Sequence, residues 1–205
     1  MLLKELENGS KMDPEDASND LPLDGMEANA GSIQAGVPGE GMAEYAIDNN
    51  TGTIWHTRWA GTSLSNLWLD IKLKEATTVA GVRFLQRTGG GQNGRIIKAD
   101  IMVLKEGETD YKTVKTSEFA ASGWNGVTFT AESKVTNVKI KALNTLGNPA
   151  DTFAALAEIR ILKEAKEEEI KPDKTELKKL VQQAESLKDK WKNKNAKVLE
   201  EKIKE

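Results

Sequence analysis

Hydrophobic and polar residues alternate with a period of two in several segments between residues 68 and 162. This alternation is typical of strands that bury one face. The predicted strands cover residues 68–73, 78–85, 97–104, 126–130, 135–140 and 153–162. Turn signals separate them, among them Gly89-Gly90-Gly91 and Gly147-Asn148-Pro149. Many short strands without a long helical period predict a mainly β fold, an antiparallel β-sandwich of the jelly-roll type.

The composition changes twice along the chain and predicts three regions. Residues 1–25 are acidic and rich in turn-forming residues, so we expect a poorly ordered linker or tail. Residues 26–163 contain most of the glycines and nearly all the aromatic residues, and they form the predicted sandwich. Residues 164–205 are dominated by Glu, Lys, Gln and Ala and contain no Gly.

Apolar residues recur at helical spacing in the last region. Asp173 and Glu176 have the spacing of a capping box at a helix start. The apolar stripe comprises Leu177, Leu180, Val181, Ala184, Leu187 and Trp191, and a second stripe comprises Val198, Leu199 and Ile203. Because residues 192–195 interrupt the pattern, we expect an αα-hairpin that forms part of a larger helical bundle. Acidic and basic residues are mixed along it, which disfavours a helix lying on a membrane surface.

Composition excludes several classes of function. The 205 residues include 29 Lys and Arg, 32 Asp and Glu, one His and no Cys. The lack of Cys excludes disulfides and thiolate metal sites, and a single His excludes a multi-His zinc site. A net charge of −3 argues against nucleic-acid binding, and no apolar run approaches the length of a membrane span. The first residues lack the features of a signal peptide, so an exported parent would contain this chain as a fragment.

A resemblance to a known family begins at residues 46–59, which read Ala-Ile-Asp-Asn-Asn-Thr-Gly-Thr-Ile-Trp-His-Thr-Arg-Trp. This segment resembles the start of a family 32 carbohydrate-binding module, in the superfamily of coagulation-factor type C, or discoidin-like, galactose-binding domains. Further matches follow in order at residues 68–73, 82–85, 87, 93–95, 123–124 and 157–160. The resemblance covers residues 30–163 approximately and implies the same jelly roll. Asn49 stands where the family usually has Gly, and Thr51 where Pro is frequent; Asn is tolerated in a left-handed turn.

The resemblance implies a sugar-binding site. Its candidate residues are His56, Trp59, Arg87, Asn93 and Phe153, with Glu40 as a further member from the first loop. A single His taken alone is more often structural than functional. An aromatic face beside polar side chains nevertheless suits a sugar, because the ring stacks on C–H groups while the polar groups bond its hydroxyls.

Hard oxygen donors in the first motif raise the question of a cation. Ca²⁺ takes about six to eight oxygens, and Asp48, Asn50, Thr53 and a distant Glu158 offer several. Taken alone, these residues are more typical of an ordinary turn than of a cation site. The resemblance implies a structural Ca²⁺ held by the carboxylates of Asp48 and Glu158, the hydroxyl of Thr53, and mainly carbonyls of Tyr45, Asn50 and Ala157.

The function implied is non-catalytic. Modules of this family usually target a secreted or cell-wall-attached bacterial glycoside hydrolase to glycans, here ones ending in galactose or N-acetylgalactosamine. We therefore expect an extracellular or cell-surface location and a monomeric module within a multimodular chain, without nucleic-acid binding or membrane insertion. Three alternatives stay open: a discoidin-type domain that binds protein or anionic lipid, a structural spacer with a degenerate sugar site, and an enzyme that uses its acidic residues.

Overall fold

The computed structural model describes residues 12–164 and 174–203. Residues 12–164 lie in one compact unit and residues 174–203 in a second. The first unit contains eight strands: β1 (Glu27–Ala30), β2 (Glu40–Gly41), β3 (Ile54–His56), β4 (Trp68–Gln86), β5 (Ile96–Lys105), β6 (Lys112–Glu118), β7 (Trp124–Thr145) and β8 (Ala155–Leu162). Two short 3-10 helices, Ala43–Ala46 and Leu64–Asn66, lie in the loops. The predicted mainly β jelly roll is confirmed.

Two long strands, β4 and β7, connect the two layers of the sandwich. The first part of β4 pairs with β1, and its second part, from Gly81 onwards, pairs with β8. β7 pairs with β4 along most of its length, while its later residues also pair with β5. Register shifts between Lys72 and Gly81 mark the point where β4 passes from one layer to the other. The layers are therefore β1-β4-β7-β5-β6 and β7-β4-β8-β3-β2.

One hydrophobic cluster fills the space between the layers. Leu69 and Ile140 reach it from the first layer, and Phe84 and Ile159 from the second. Strand β8 is buried on both faces, because all eight of its residues are buried. β8 begins directly after the loop that contains Phe153 and itself contains Glu158, so it connects the two regions that the sequence singled out.

Residues 12–25 belong to the sandwich, which corrects the expectation of a poorly ordered tail for this part of the chain. Asp20 forms a bridge to Leu162, and Leu21 packs against the core. Arg83 donates two hydrogen bonds to the carboxylate of Asp20, one of them 2.7 Å from Nε. One acidic residue of this segment, Asp20, is therefore the ion-pair partner of a buried arginine. Residues 1–11 lie outside the described part of the chain.

The second unit contains one continuous helix, α1 (Lys174–Ile203), rather than the expected αα-hairpin. Residues 192–195 contain neither Gly nor Pro, and Lys and Asn cost only a fraction of a kcal/mol, roughly, in a helix interior. The interruption of the apolar stripe therefore does not break the backbone. Leu187 and Trp191, on one face of α1, are 66% and 68% exposed. The predicted cap at Asp173 lies outside the described residues, and the larger bundle stays a prediction.

Among the described residues, α1 and the shorter helices lack the combination of length and apolar character that crossing a membrane requires.

Candidate functional site

A cavity of about 280 Å³ opens at one end of the sandwich. It is lined by Glu40, His56, Trp59, Arg87, Gly91, Asn93 and Phe153. All six residues that the sequence singled out for a sugar site therefore lie around one cavity. They come from β2, β3 and the three loops that follow β3, follow β4 and precede β8.

Main-chain hydrogen bonds join the three loops of the cavity. Thr57 is fully buried, its N–H donates to the carbonyl of Ala154, and its Oγ1 accepts from the N–H of Ala154, both at 3.0 Å. Gly94 donates to Leu146 at 2.7 Å and accepts from Ala155 at 2.8 Å. The loops are thus fixed to one another before any ligand binds, which reduces the entropy cost of binding.

Glu40 connects two of the polar and aromatic side chains of the cavity. Its Oε1 accepts a hydrogen bond of 3.2 Å from the indole Nε1 of Trp59 and lies 3.6 Å from Nη2 of Arg87. Arg87 Nη1 donates to the carbonyl of Asn93 at 2.9 Å. The buried Nε of Arg87 has no hydrogen-bond partner among residues 12–164 and 174–203, so the guanidinium retains a donor.

His56 is buried, and its tautomer follows from its neighbour. Nδ1 contacts the carbonyl oxygen of Thr57, which can only accept, so Nδ1 carries the proton. Burial lowers the pKa of His56, and the hydrogen bond to Thr57 opposes part of that shift. The ring is therefore mainly neutral near pH 7, and Nε2 is the nitrogen without a proton in this tautomer. The His56 ring lies 6.0 Å from the ring of Phe153.

The cavity combines groups of complementary chemistry. Arg87 donates, His56 Nε2 and Glu40 accept, and the rings of Trp59 and Phe153 supply apolar surface. Trp59 is 52% exposed, so much of its ring is accessible to solvent. A small cavity with both donors and acceptors beside aromatic faces fits a polyhydroxylated ring better than a purely apolar ligand.

A second cluster of polar groups lies in the loop of residues 48–53. Asp48 accepts hydrogen bonds from the main chain of Asn50 at 2.9 Å and from Thr53 Oγ1 at 2.7 Å. Glu158 lies on β8 and is fully buried, and its carboxylate oxygen Oε1 has no hydrogen-bond partner in the described part of the chain. The preceding residue, Ala157, has no paired residue on β4, because the register between β4 and β8 shifts at this point.

The electrostatics of Glu158 fit the expected cation. Burial raises the pKa of Glu158, a hydrogen bond from Arg160 opposes this, and the charge of Asp48 raises it further. A buried carboxylate with an unpartnered oxygen beside a second carboxylate favours a bound cation. The described residues contain no cluster of three or more His, Cys, Asp and Glu side chains, so hydroxyl and main-chain oxygens would complete the set.

A family model for the F5/8 type C domain matches residues 28–159, which span both clusters. The chain belongs to the F5/8 type C domain family. This confirms the family resemblance seen in the sequence. The match begins in β1, ends in β8 and does not include α1.

Solved structures show the same fold as this F5/8 type C domain. The Clostridium perfringens module CpGH89CBM32-5, in complex with GalNAc-β-1,3-galactose, is 29% identical, with a TM-score of 0.63, covering 70% of this chain and 99% of that one. The family 32 module of NanJ from C. perfringens, in complex with galactose, is also 29% identical, with a TM-score of 0.59, covering 70% and 97%. A third neighbour, CBM32-3 from a C. perfringens family 31 glycoside hydrolase, is 24% identical, with a TM-score of 0.59, covering 71% and 95%.

Sequence reasoning missed three residues that line or support the cavity of the F5/8 type C domain. Gly91 lines it directly. Gln34 accepts a hydrogen bond of 2.9 Å from the main chain of Trp59, and Thr57 fixes both His56 and the loop before β8. Thr57 lies inside the recognised motif and was a detectable signal. Gln34 precedes Trp59 by 25 residues, and no local pattern connects the two.

Proposed function

We propose that this F5/8 type C domain is a non-catalytic carbohydrate-binding module. The observation that carries the proposal is the convergence of His56, Trp59, Arg87, Asn93, Phe153 and Glu40 on one cavity. A sugar hydroxyl would donate to His56 Nε2 and accept from Arg87, while a C–H face of the ring stacks on Trp59. This set binds and orients a ligand, and it offers no nucleophile paired with a base.

Glycans ending in galactose or N-acetylgalactosamine are the proposed ligands. Two neighbours at 29% identity support this choice, because one was solved with galactose and the other with GalNAc-β-1,3-galactose. A hexose has about 12 non-hydrogen atoms, and at roughly −0.3 to −0.5 kcal/mol per atom it would gain about −4 to −6 kcal/mol. This corresponds to a Kd from about millimolar to tens of micromolar.

A single site with this affinity would hold a glycan only weakly. Several modules in one chain would be needed to retain a parent protein on a glycan surface. We assign this domain to a secreted or cell-surface bacterial glycoside hydrolase, as a monomeric module that brings the enzyme to its substrate.

Ca²⁺ is the proposed cofactor, with a structural role. Asp48 and Glu158 would supply carboxylates, Thr53 a hydroxyl, and Tyr45, Asn50 and Ala157 carbonyls. The unpartnered Oε1 of Glu158 supports this set. A bound Ca²⁺ raises the midpoint of thermal unfolding, because it binds the folded state only. Calorimetric titration with CaCl₂ tests this, and Glu158→Gln is expected to abolish both the heat of binding and the rise in Tm.

An amide chemical-shift titration tests the sugar site. In the presence of Ca²⁺, galactose and then N-acetylgalactosamine are added to about 10 mM and above. We expect saturable shifts confined to the residues around the cavity, and Arg87→Ala is expected to remove them. A lack of shifts at tens of millimolar, roughly, would overturn the proposal and favour a structural spacer or a domain that binds protein or lipid.

A further inference from the structure

Asn49 occupies a position where the family usually has glycine. Its φ is +61°, in the left-handed region that glycine adopts without cost and Asn with a modest cost. Its side chain compensates, because Asn49 Oδ1 accepts a hydrogen bond of 2.9 Å from Nη2 of Arg160. A glycine would have the same backbone but could not make this contact.

Arg160 is a buried guanidinium that contacts three segments. It is 7% exposed and lies on β8. Nη1 donates to Glu158 Oε2 and to the carbonyl of Ile159, the latter at 2.9 Å. Nε lies 3.9 Å from Asp20 Oδ2 in the N-terminal segment. The loop of residues 48–53, strand β8 and the N-terminal segment therefore all contact the guanidinium of Arg160.

The contacts of Arg160 would have the same structural effect as the proposed cation. Both would connect the loop of residues 48–53 to β8 and offset the charge of Glu158. They use different oxygens, because Arg160 bonds Oε2 while Oε1 is unpartnered. Arginine stays protonated at any physiological pH, and its planar group holds two acceptors in fixed directions.

We propose that Asn49 and Arg160 form a metal-independent clasp that holds the loop of residues 48–53 on β8. The domain then keeps this loop in place when divalent cations are absent. The sugar cavity is affected as well, because residue 53 leads directly into β3, which carries His56. Thr88 Oγ1, next to Arg87, also donates to the carbonyl of Thr51 at 2.6 Å. The effects on calcium and sugar rest on the proposed function, whereas the clasp itself does not.

Substitutions of Asn49 distinguish a stabilising contact with Arg160 from a role limited to the turn. Asn49→Gly keeps the left-handed backbone but removes the acceptor, so a role limited to the turn predicts an unchanged or more stable protein. Asn49→Asp also tolerates this conformation and keeps an oxygen facing Arg160, so it serves as the matched control. Both variants are compared with the wild-type chain in EDTA and in excess Ca²⁺.

In EDTA, we expect Asn49→Gly to lower Tm and to accelerate amide exchange of residues 48–53 by about tenfold, while Asn49→Asp matches the wild type. Galactose affinity in EDTA falls in Asn49→Gly alone. Excess Ca²⁺ restores the glycine variant towards the wild type, because the ion replaces the missing connection.

Equal Tm and equal loop exchange of Asn49→Gly and the wild type in EDTA would overturn the clasp. A difference in EDTA that Ca²⁺ leaves unchanged would support the clasp and overturn the calcium part of the proposed function. If no form binds galactose, the sugar proposal fails, and loop exchange still decides on the clasp.

Discussion

The indole N–H of Trp59 and the carboxylate of Glu40 form a hydrogen bond of 3.2 Å at the rim of the cavity. The same carboxylate oxygen lies 3.6 Å from the guanidinium of Arg87. Glu40 lies on β2, whose pairing with β3 fixes its position next to the strand that carries His56. One carboxylate therefore sets the relative positions of an aromatic ring and a cationic donor, both of which are proposed to contact sugar.

Replacement of Glu40 should weaken sugar binding without destabilising the fold. Glu40→Gln keeps an acceptor oxygen but removes the charge that faces Arg87, and we expect a loss of about 1 kcal/mol, or roughly fivefold in Kd. Calorimetric titration with galactose measures this loss. Glu44→Gln is the matched control, because Glu44 is exposed and does not line the cavity. Equal affinity of the two variants would show that Glu40 does not position the site.

Sugar binding should depend on pH through His56. Burial lowers the pKa of His56, so its folded-state pKa lies below the unfolded value of about 6.5. The stability contributed by the neutral ring is therefore fully present above about pH 6.5 and is lost as the pH falls through the folded-state pKa. Protonation also turns Nε2 from an acceptor into a donor, so galactose affinity should fall over the same range.

Titrations with galactose between about pH 5 and pH 8 measure this dependence. His56 is the single histidine of the chain, which simplifies its assignment. His56→Gln is the control, since its weaker binding should lose the pH dependence between those limits. Constant affinity of the wild-type chain across the range would contradict the assignment of Nε2 as an acceptor for the ligand.

In the glycine-rich loop after β4, Gly94 combines a positive φ with a close approach to another segment of backbone. A Cβ on Gly94 would lie 2.8 Å from the nitrogen of Ala155, and φ at Gly94 is +86°. Gly94→Ala should therefore displace the loop before β8, which carries Phe153, at a cost of at least about 2 kcal/mol. This corresponds to a fall in Tm of about 4–8 °C, together with weaker galactose binding.

Gly91→Ala is the control for stability in the same loop. A Cβ on Gly91 meets no atom within 4 Å, and its φ is not positive. Its Tm should match that of the wild type in a thermal scan. If both alanine variants unfold at the wild-type temperature, then the contact between Gly94 and Ala155 does not hold the loops together.

The hydrophobic pattern predicted the fold where strands bury one face. The alternation at residues 68–73 and 78–85 predicted two strands, and the structure joins them into β4 through irregular pairing. Strand β6 escaped prediction because it lies at a sheet edge and its residues are polar or half-exposed. Register shifts and edge strands depend on partners far away in the sequence, so local periodicity does not show them.

The candidate site was predicted from a resemblance, and its supporting contacts were not. The ordered motif identified His56 and Trp59, because both lie within a short recognisable segment. Gln34 and Arg160 act through partners 25 and 111 residues away, and a single sequence carries no signal for such pairs. The acidic N-terminal segment was misjudged for the same reason, since the partner of Asp20 is Arg83, 63 residues later.

The ion pair between Asp20 and Arg83 should contribute strongly to stability. The side chains are 17% and 6% exposed, and Arg83 also lies 4.3 Å from the ring centroid of Trp124. Asp20→Ala leaves the guanidinium buried without its carboxylate, at a cost of about 3 kcal/mol. We expect Tm to fall by about 6–12 °C in a thermal scan.

Asp24→Ala tests whether any acidic residue of the same segment would have this effect. Asp24 pairs with Lys74 at 2.6 Å, but the two side chains are 84% and 64% exposed, so solvent screens their interaction. No measurable change in Tm is expected. If Asp20→Ala and Asp24→Ala unfold at the same temperature, the segment does not stabilise the sandwich through Arg83. A large difference shows that residues 12–25 belong to the folding unit, so a domain boundary drawn at residue 26 would remove a partner that the buried Arg83 needs.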